Sequence, residues 1–173
     1  MEPELLLRTF AAALRLSTPL ILCAMAGLLS ERSGIVDIGL EGKMLAAAFA
    51  AAAVAAVTGS AWLALLCGIV IATLMALLHG YACITQRGNQ VVSGVAINLL
   101  ASGLTVVLGS YWFQQGGETP PLLSGSGRFR PIELPGAAAL GDVPILGPLY
   151  RDLVSGHNLI VYLALSGPYS PRV

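Results

Sequence analysis

Residues 10–29, 61–84 and 91–113 are apolar stretches of about twenty residues or more, and 44–57 is a shorter fourth. A helix needs about 20 apolar residues to cross a hydrocarbon core about 30 Å thick. The first stretch meets that length with only Arg15 and Pro19 as irregularities. The connections at 59–60 (Gly-Ser) and 85–90 (TQRGNQ) are short and rich in turn formers. This pattern predicts a polytopic membrane protein, an all-α transmembrane bundle. Composition agrees: 10% of residues are charged, against about 25% in an average soluble domain. A formal net charge of zero leaves no basic surface for nucleic acid. Lipid is the expected surrounding. An Ala24-Met25-Ala26 triplet fits a signal-cleavage pattern, but Glu2 and Glu4 make the N-terminus acidic, so the first stretch reads as retained.

The fourth stretch carries the informative anomaly. Residues 44–57 are too short to span alone, and they reach spanning length, 36–57, only by absorbing the charged motif ahead of them. That motif holds Asp37, Glu41 and Lys43 among Gly34, Gly39 and Gly42. Non-helical backbone at membrane depth must be buried in protein or line a cavity, and the three glycines supply the freedom for such a break. The reading is therefore a broken second helix. Asp37 is suited to cap the helix that follows. Glu41, four residues on, would share a helical face with Asp37, whereas Lys43 would face elsewhere. Helices broken in this way build binding sites in transporters; the same carboxylates could instead reach water at the bilayer edge. Spacing leaves both readings open.

In 91–113 and just before it, Gln90, Gly94, Asn98, Ser102, Thr105 and Gly109 recur every three or four residues. They form one small and polar stripe, with Leu, Val and Ile left for lipid. The stripe serves as helix-packing surface or, in a sharper reading, makes Asn98 a ligand or gating contact. His79, near the end of the third stretch, is expected to be interfacial or hydrogen-bonded rather than a proton relay. Cys23, Cys67 and Cys83 sit in apolar runs without metal-ligand spacing, so no metal or other cofactor is expected. No G-x-S-x-G, H-E-x-x-H or P-loop occurs. An intramembrane enzyme would have to rely on Glu41 and His79, whose motifs do not fit. The chain is expected not to be an enzyme, and any ATP would be handled by another chain.

From 114 to 156 prolines and glycines break any long helix, which predicts a long extramembrane loop. Residues 157–165 then begin an apolar helix of only about half a bilayer before the prolines of "SGPYSPRV". The expectation is an incomplete span in a single, truncated transmembrane domain, 1–173. Charge bias across the connections leaves sidedness open.

The motifs carry a resemblance. "SERSGIVDIGLEGKMLAAAFAA" resembles the signature SER-SG-(V/I)-(V/I)-N-I-G-(L/I)-E-G-x-M of permease subunits of ATP-binding-cassette importers for nucleosides and simple sugars. "QVVSGVAINLLASGLT" is similar to a second family stretch, Q-V-(V/I)-S-G-x-x-(I/L)-N-x-L-A-x-G-L-T. "DVPILGPLY" and "HNLIVYLAL" also look like the nucleoside branch, so the likeness runs from about 15 to 165. Asp37 departs from the Asn usual in that branch, and ribose-type relatives carry Asp in a related motif; this bears on the substrate subclass. The resemblance implies the N-terminal half of a permease in a bacterial inner membrane. It implies cytosolic ATPase subunits, a second permease subunit and an extracytoplasmic substrate-binding protein as partners. It places Asp37, Glu41, Ser93 and Asn98 on the substrate pathway, with Gly34, Gly39 and Gly42 at the helix break. The alternative is a truncated, non-transporting membrane protein or scaffold.

Overall fold

A computed structural model describes residues 3–114, 118–121, 127–129 and 158–165. Most of the expected loop at 114–156 lies outside the described residues. The chain forms two compact units, Met1–Ala24 with Phe129–Val173, and Met25–Arg128. The described elements are all helical: α1 (Pro3–Arg32), α2 (Leu40–Thr58), α3 (Ala61–Gly80) with a π-helical turn over Tyr81–Thr85, α4 (Gln90–Phe113) and α5 (Leu159–Leu165). Among the described residues, four helices are long and apolar enough to cross a membrane.

α1 is continuous through Pro19, where the hydroxyls of Ser17 and Thr18 donate back to the Leu14 carbonyl at 3.0 and 2.9 Å. It ends in a Schellman turn. Gly34 N–H donates to Glu31 O at 3.0 Å and Ile35 N–H to Ser30 O at 3.2 Å, with Gly34 at φ +83°. Only a residue without a Cβ adopts that conformation at little cost. In the first unit, α5 buries Val161 and Ala164.

In the second unit, α2 and α3 form a hairpin across Gly59, a left-handed C-cap whose N–H donates to Ala55 O at 2.9 Å. α2 packs mainly on α3 and then on α4. Alanines make this closeness possible: Ala46, Ala53, Ala55, Ala61, Ala64 and Ala101 are all buried. Apolar side chains cannot draw helices together inside lipid, so small residues that let backbones approach do the work. The rings of Phe49 and Trp112 stack with centroids 6.5 Å apart, tying α2 to α4. Leu63, Leu66, Ile69, Leu77, Leu99 and Val107 point outward and are exposed, as a lipid-facing surface requires.

The interruption expected in the second span lies at its head. Residues 35–39 are non-helical, and α2 then runs unbroken from Leu40 to Thr58. Its 19 residues rise about 28 Å, close to a full span, and they take in Glu41, Gly42 and Lys43 of the motif but not Asp37 or Gly39.

Candidate functional site

The head of α2, the end of α3 and the start of α4 meet at one end of the second unit. What joins them begins with a deficiency. The N-cap of α2 is Gly39, which has no side chain to accept the N–H groups of the first turn. A helix start leaves four such donors without partners inside the helix, and in a lipid setting each is costly. α4 supplies the missing acceptor. Asn98 Oδ1 accepts the Gly42 N–H at 2.7 Å, and its Nδ2 donates to Ile38 O at 3.1 Å. Gln90, the first residue of α4, accepts the Val36 N–H at 2.7 Å. Two amides from α4 thus complete the backbone at the break.

This exchange requires near contact between backbones. A Cβ on Gly42 would lie 2.7 Å from Asn98 Cα, and a Cβ on Gly94 would lie 2.9 Å from Gly39 N. Gly39 and Gly42 on one side and Gly94 on the other therefore form the glycine surface that admits Asn98. α4 itself starts on Asn89, whose Oδ1 accepts from Val91 N at 2.9 Å and Val92 N at 3.2 Å.

Beneath this seam lies a polar cluster shut off from the surface. Asp37 Oδ2 pairs with Lys43 Nζ, and the two side chains are 9% and 8% exposed. Asp37 Oδ1 accepts the Gly39 N–H at 3.1 Å and lies 3.8 Å from His79 Nε2. His79 Nδ1 sits 3.1 Å from Ser93 Oγ. Cys83, within the π-helical turn, places its sulfur 3.6 Å from His79 Nε2. The π turn then unwinds through Gly88, whose N–H donates to Ala82 O at 2.9 Å, and Arg87 takes φ +52°.

Several expectations change. Asp37 does not cap α2; it precedes the N-cap by two residues and accepts the Gly39 N–H in a local turn. Because Asp37 is not helical, it shares no helical face with Glu41. Asp37 is turned inward, and Glu41, on the first turn of α2, is exposed. Lys43, expected to face away, turns inward to Asp37. The α4 stripe is rotated. Its buried members are Gly94, Ile97, Ala101, Thr105 and Gly109, while Asn98 is half-buried and Ser102 exposed. At about 100° per residue Ser102 lies about 80° round from Gly94, Asn98 about 40° and Ala101 about 20° the other way. The contact face thus gains Ile97 and Ala101 and loses Ser102. The Ser102 hydroxyl is satisfied by Leu99 O at 3.0 Å. His79 is buried and hydrogen-bonded, as its position suggested, and its neighbours are Asp37, Ser93 and Cys83 rather than Glu41.

Of the pathway residues expected from the motifs, Asn98 and Asp37 have their polar atoms committed to other groups of the chain, and Ser93 is engaged with His79. Glu41 alone of the four has no hydrogen bond or ion pair among the described residues. Lys43 and Cys83 were not singled out for the site from the sequence. A Lys six positions after an Asp had no helical reason to meet it.

Residues 9–132 match the family described as branched-chain amino acid transport system / permease component. A guanosine ABC transporter permease of Bacillus subtilis is 39% identical over 147 residues, 80% of this chain and 43% of the relative. A nucleoside ABC transporter permease of Lactococcus lactis is 42% identical over 106 residues, 58% of this chain and 33% of the relative. A candidate glucose ABC transporter permease of Haloferax volcanii is 41% identical over 104 residues, 60% of this chain and 32% of the relative. The matched region thus spans between 32% and 43% of these relatives. No solved structure matches the chain. With four helices of membrane-spanning length and a family match over most of its residues, this chain belongs to the permease-component family of branched-chain amino acid transport systems.

Proposed function

We propose that this chain is part of a permease subunit of an ATP-binding-cassette importer of a bacterial inner membrane, and that it lines the translocation pathway for nucleosides or simple sugars. Likeness to guanosine, nucleoside and glucose permeases supports the substrate class. On this reading the ATP is hydrolysed by separate cytosolic ATPase subunits. A second permease subunit completes the pathway, and an extracytoplasmic binding protein delivers the substrate.

The observation that carries the local part of the proposal is Glu41. It stands exposed on the first turn of a membrane helix, with no partner among the described residues. A carboxylate in hydrocarbon is expensive and is found facing protein or a watery cavity. Hydroxyl-rich ligands such as ribosides and sugars are natural partners for a carboxylate acceptor. Asp37, Ser93 and Asn98 sit behind it and shape the pathway wall, and Gly34, Gly39 and Gly42 form the break that puts Glu41 there.

The test is uptake of labelled guanosine and labelled glucose by the complete transporter in cells lacking their own importers for both. Glu41→Leu is expected to lower uptake at least about tenfold, a loss of about 1.4 kcal/mol, with normal amounts in the membrane. Glu41→Gln should keep part of it, because an amide oxygen still accepts. Undiminished uptake by Glu41→Leu removes Glu41 from the pathway. Failure of the unaltered transporter to move guanosine, glucose or any of a panel of other nucleosides and simple sugars overturns the substrate class.

A further inference from the structure

The buried cluster behind Glu41 raises a question that transport does not answer: why are a carboxylate and an ammonium enclosed together at this depth? The side chains of Asp37, Lys43 and His79 are 9%, 8% and 3% exposed. A lone charge so enclosed is strongly destabilising, and breaking a buried pair by removing one partner leaves that penalty behind. Every polar atom in the cluster has a counterpart. Lys43 Nζ meets Asp37 Oδ2. Asp37 Oδ1 takes the Gly39 N–H at 3.1 Å and faces His79 Nε2 at 3.8 Å. His79 Nδ1 meets Ser93 Oγ at 3.1 Å. Among the described residues no buried side-chain nitrogen or oxygen lacks a partner.

The four groups also come from four places in the chain: the α1–α2 link, the start of α2, the end of α3 and the start of α4. We propose that they form a charge-balanced clasp in which Lys43 is the built-in counter-ion of Asp37 and both act as positioning residues. The clasp fixes the non-helical link against α3 and α4. His79 completes it, with Nδ1 3.1 Å from Ser93 Oγ and Nε2 3.6 Å from Cys83 Sγ and 3.8 Å from Asp37 Oδ1. The charges then cancel within the protein, so no ion from outside is required and the carboxylate at 37 is not available to a ligand. This goes beyond the transport reading and does not depend on the substrate.

Cys83 provides the reporter. It is buried, with its sulfur against His79, so its thiol reacts only when the clasp opens. In full-length protein in native membranes, with Cys23→Ala and Cys67→Ala as background, the measurement is the rate of alkylation by N-ethylmaleimide. Asp37→Asn and Lys43→Met, alone, should each raise the rate about tenfold or more, as local opening becomes easier. The double variant Asp37→Asn/Lys43→Met removes both charges together and should return to within about threefold of the background, a non-additivity that marks directly coupled residues. If either single variant fails to accumulate, recovery of the double to background levels supports the clasp and equal failure of the double overturns it. Additive acceleration in the double, or single variants that react as slowly as the background, also overturns it.

Discussion

Gly42→Ala isolates the contact on which the head of α2 depends. An added Cβ would lie 2.7 Å from Asn98 Cα, 2.8 Å from Asn98 Oδ1 and 2.9 Å from Ile97 O. Two of those atoms are backbone and cannot swing aside. Ordinary contact begins at 3.4 Å, so α2 and α4 must part by about 0.7 Å (3.4 − 2.7). The same movement stretches the Gly42–Asn98 hydrogen bond from 2.7 Å to a length at which little of it survives. Overpacking of this kind costs about 1–3 kcal/mol, and the lost bond about 1 kcal/mol more. Alanine's better helix propensity returns about 1 kcal/mol. The net expectation is destabilisation of about 1–3 kcal/mol. Gly103, on α4, is the control: a Cβ there meets nothing within 4 Å. Gly103→Ala should therefore be neutral or stabilising by up to about 1 kcal/mol. The assay is reversible unfolding in mixed micelles with increasing denaturing detergent, followed by circular dichroism. Equal stability of the two variants would refute the claim that α2 and α4 touch backbone to backbone at this point.

Three further outcomes follow from the same geometry. Gly34→Ala, forced into φ +83° with open space around it, should cost about 1–2 kcal/mol through backbone strain alone; no loss in the unfolding assay would argue against the Schellman turn. Asn89→Ala removes the α4 N-cap and should cost about 1 kcal/mol, with hydrogen exchange accelerated at Val91 and Val92 and unchanged beyond the first turn. Ala101→Leu, at a position with no exposed surface, should destabilise by about 1–3 kcal/mol while Ser102→Leu, its exposed neighbour, is tolerated; the reverse order would restore the polar stripe as the packing face.

The helices were legible because membrane-spanning length is a one-dimensional property. The motif at 34–43 was legible as a break because its three glycines free the backbone at the start of an apolar run, while spacing left open whether its carboxylates reach water at the bilayer edge or line a site. What the motif does internally was not legible, for two reasons. Asn98 binds backbone atoms of residues 38 and 42, and a sequence does not show which backbone groups lack partners. The Asp37–Lys43 pair spans a non-helical link, so helical spacing placed Lys43 on the wrong side. The α4 face was displaced for a related reason. Polarity marked Asn98 and Ser102; the backbones come closest at Asn98 and Gly94, while Ala101 is fully buried and Ser102 is exposed. Glu41 was placed on the pathway from sequence, and its exposure leaves it the one acidic group of the motif without an internal partner.

A side chain of α4 completes the start of α2, and amide hydrogen exchange at Gly42 measures that interaction directly. In isotopically labelled protein in micelles, the Gly42 N–H should be protected in the unaltered chain by its 2.7 Å bond to Asn98. In Asn98→Ala that protection should fall by about tenfold or more, the equivalent of the roughly 1–3 kcal/mol attached to an orphaned buried donor. Amides in the middle of α2, held by their own helix, should keep their rates. A Gly42 amide that exchanges equally in both proteins would contradict the account, whether fast in both or slow in both.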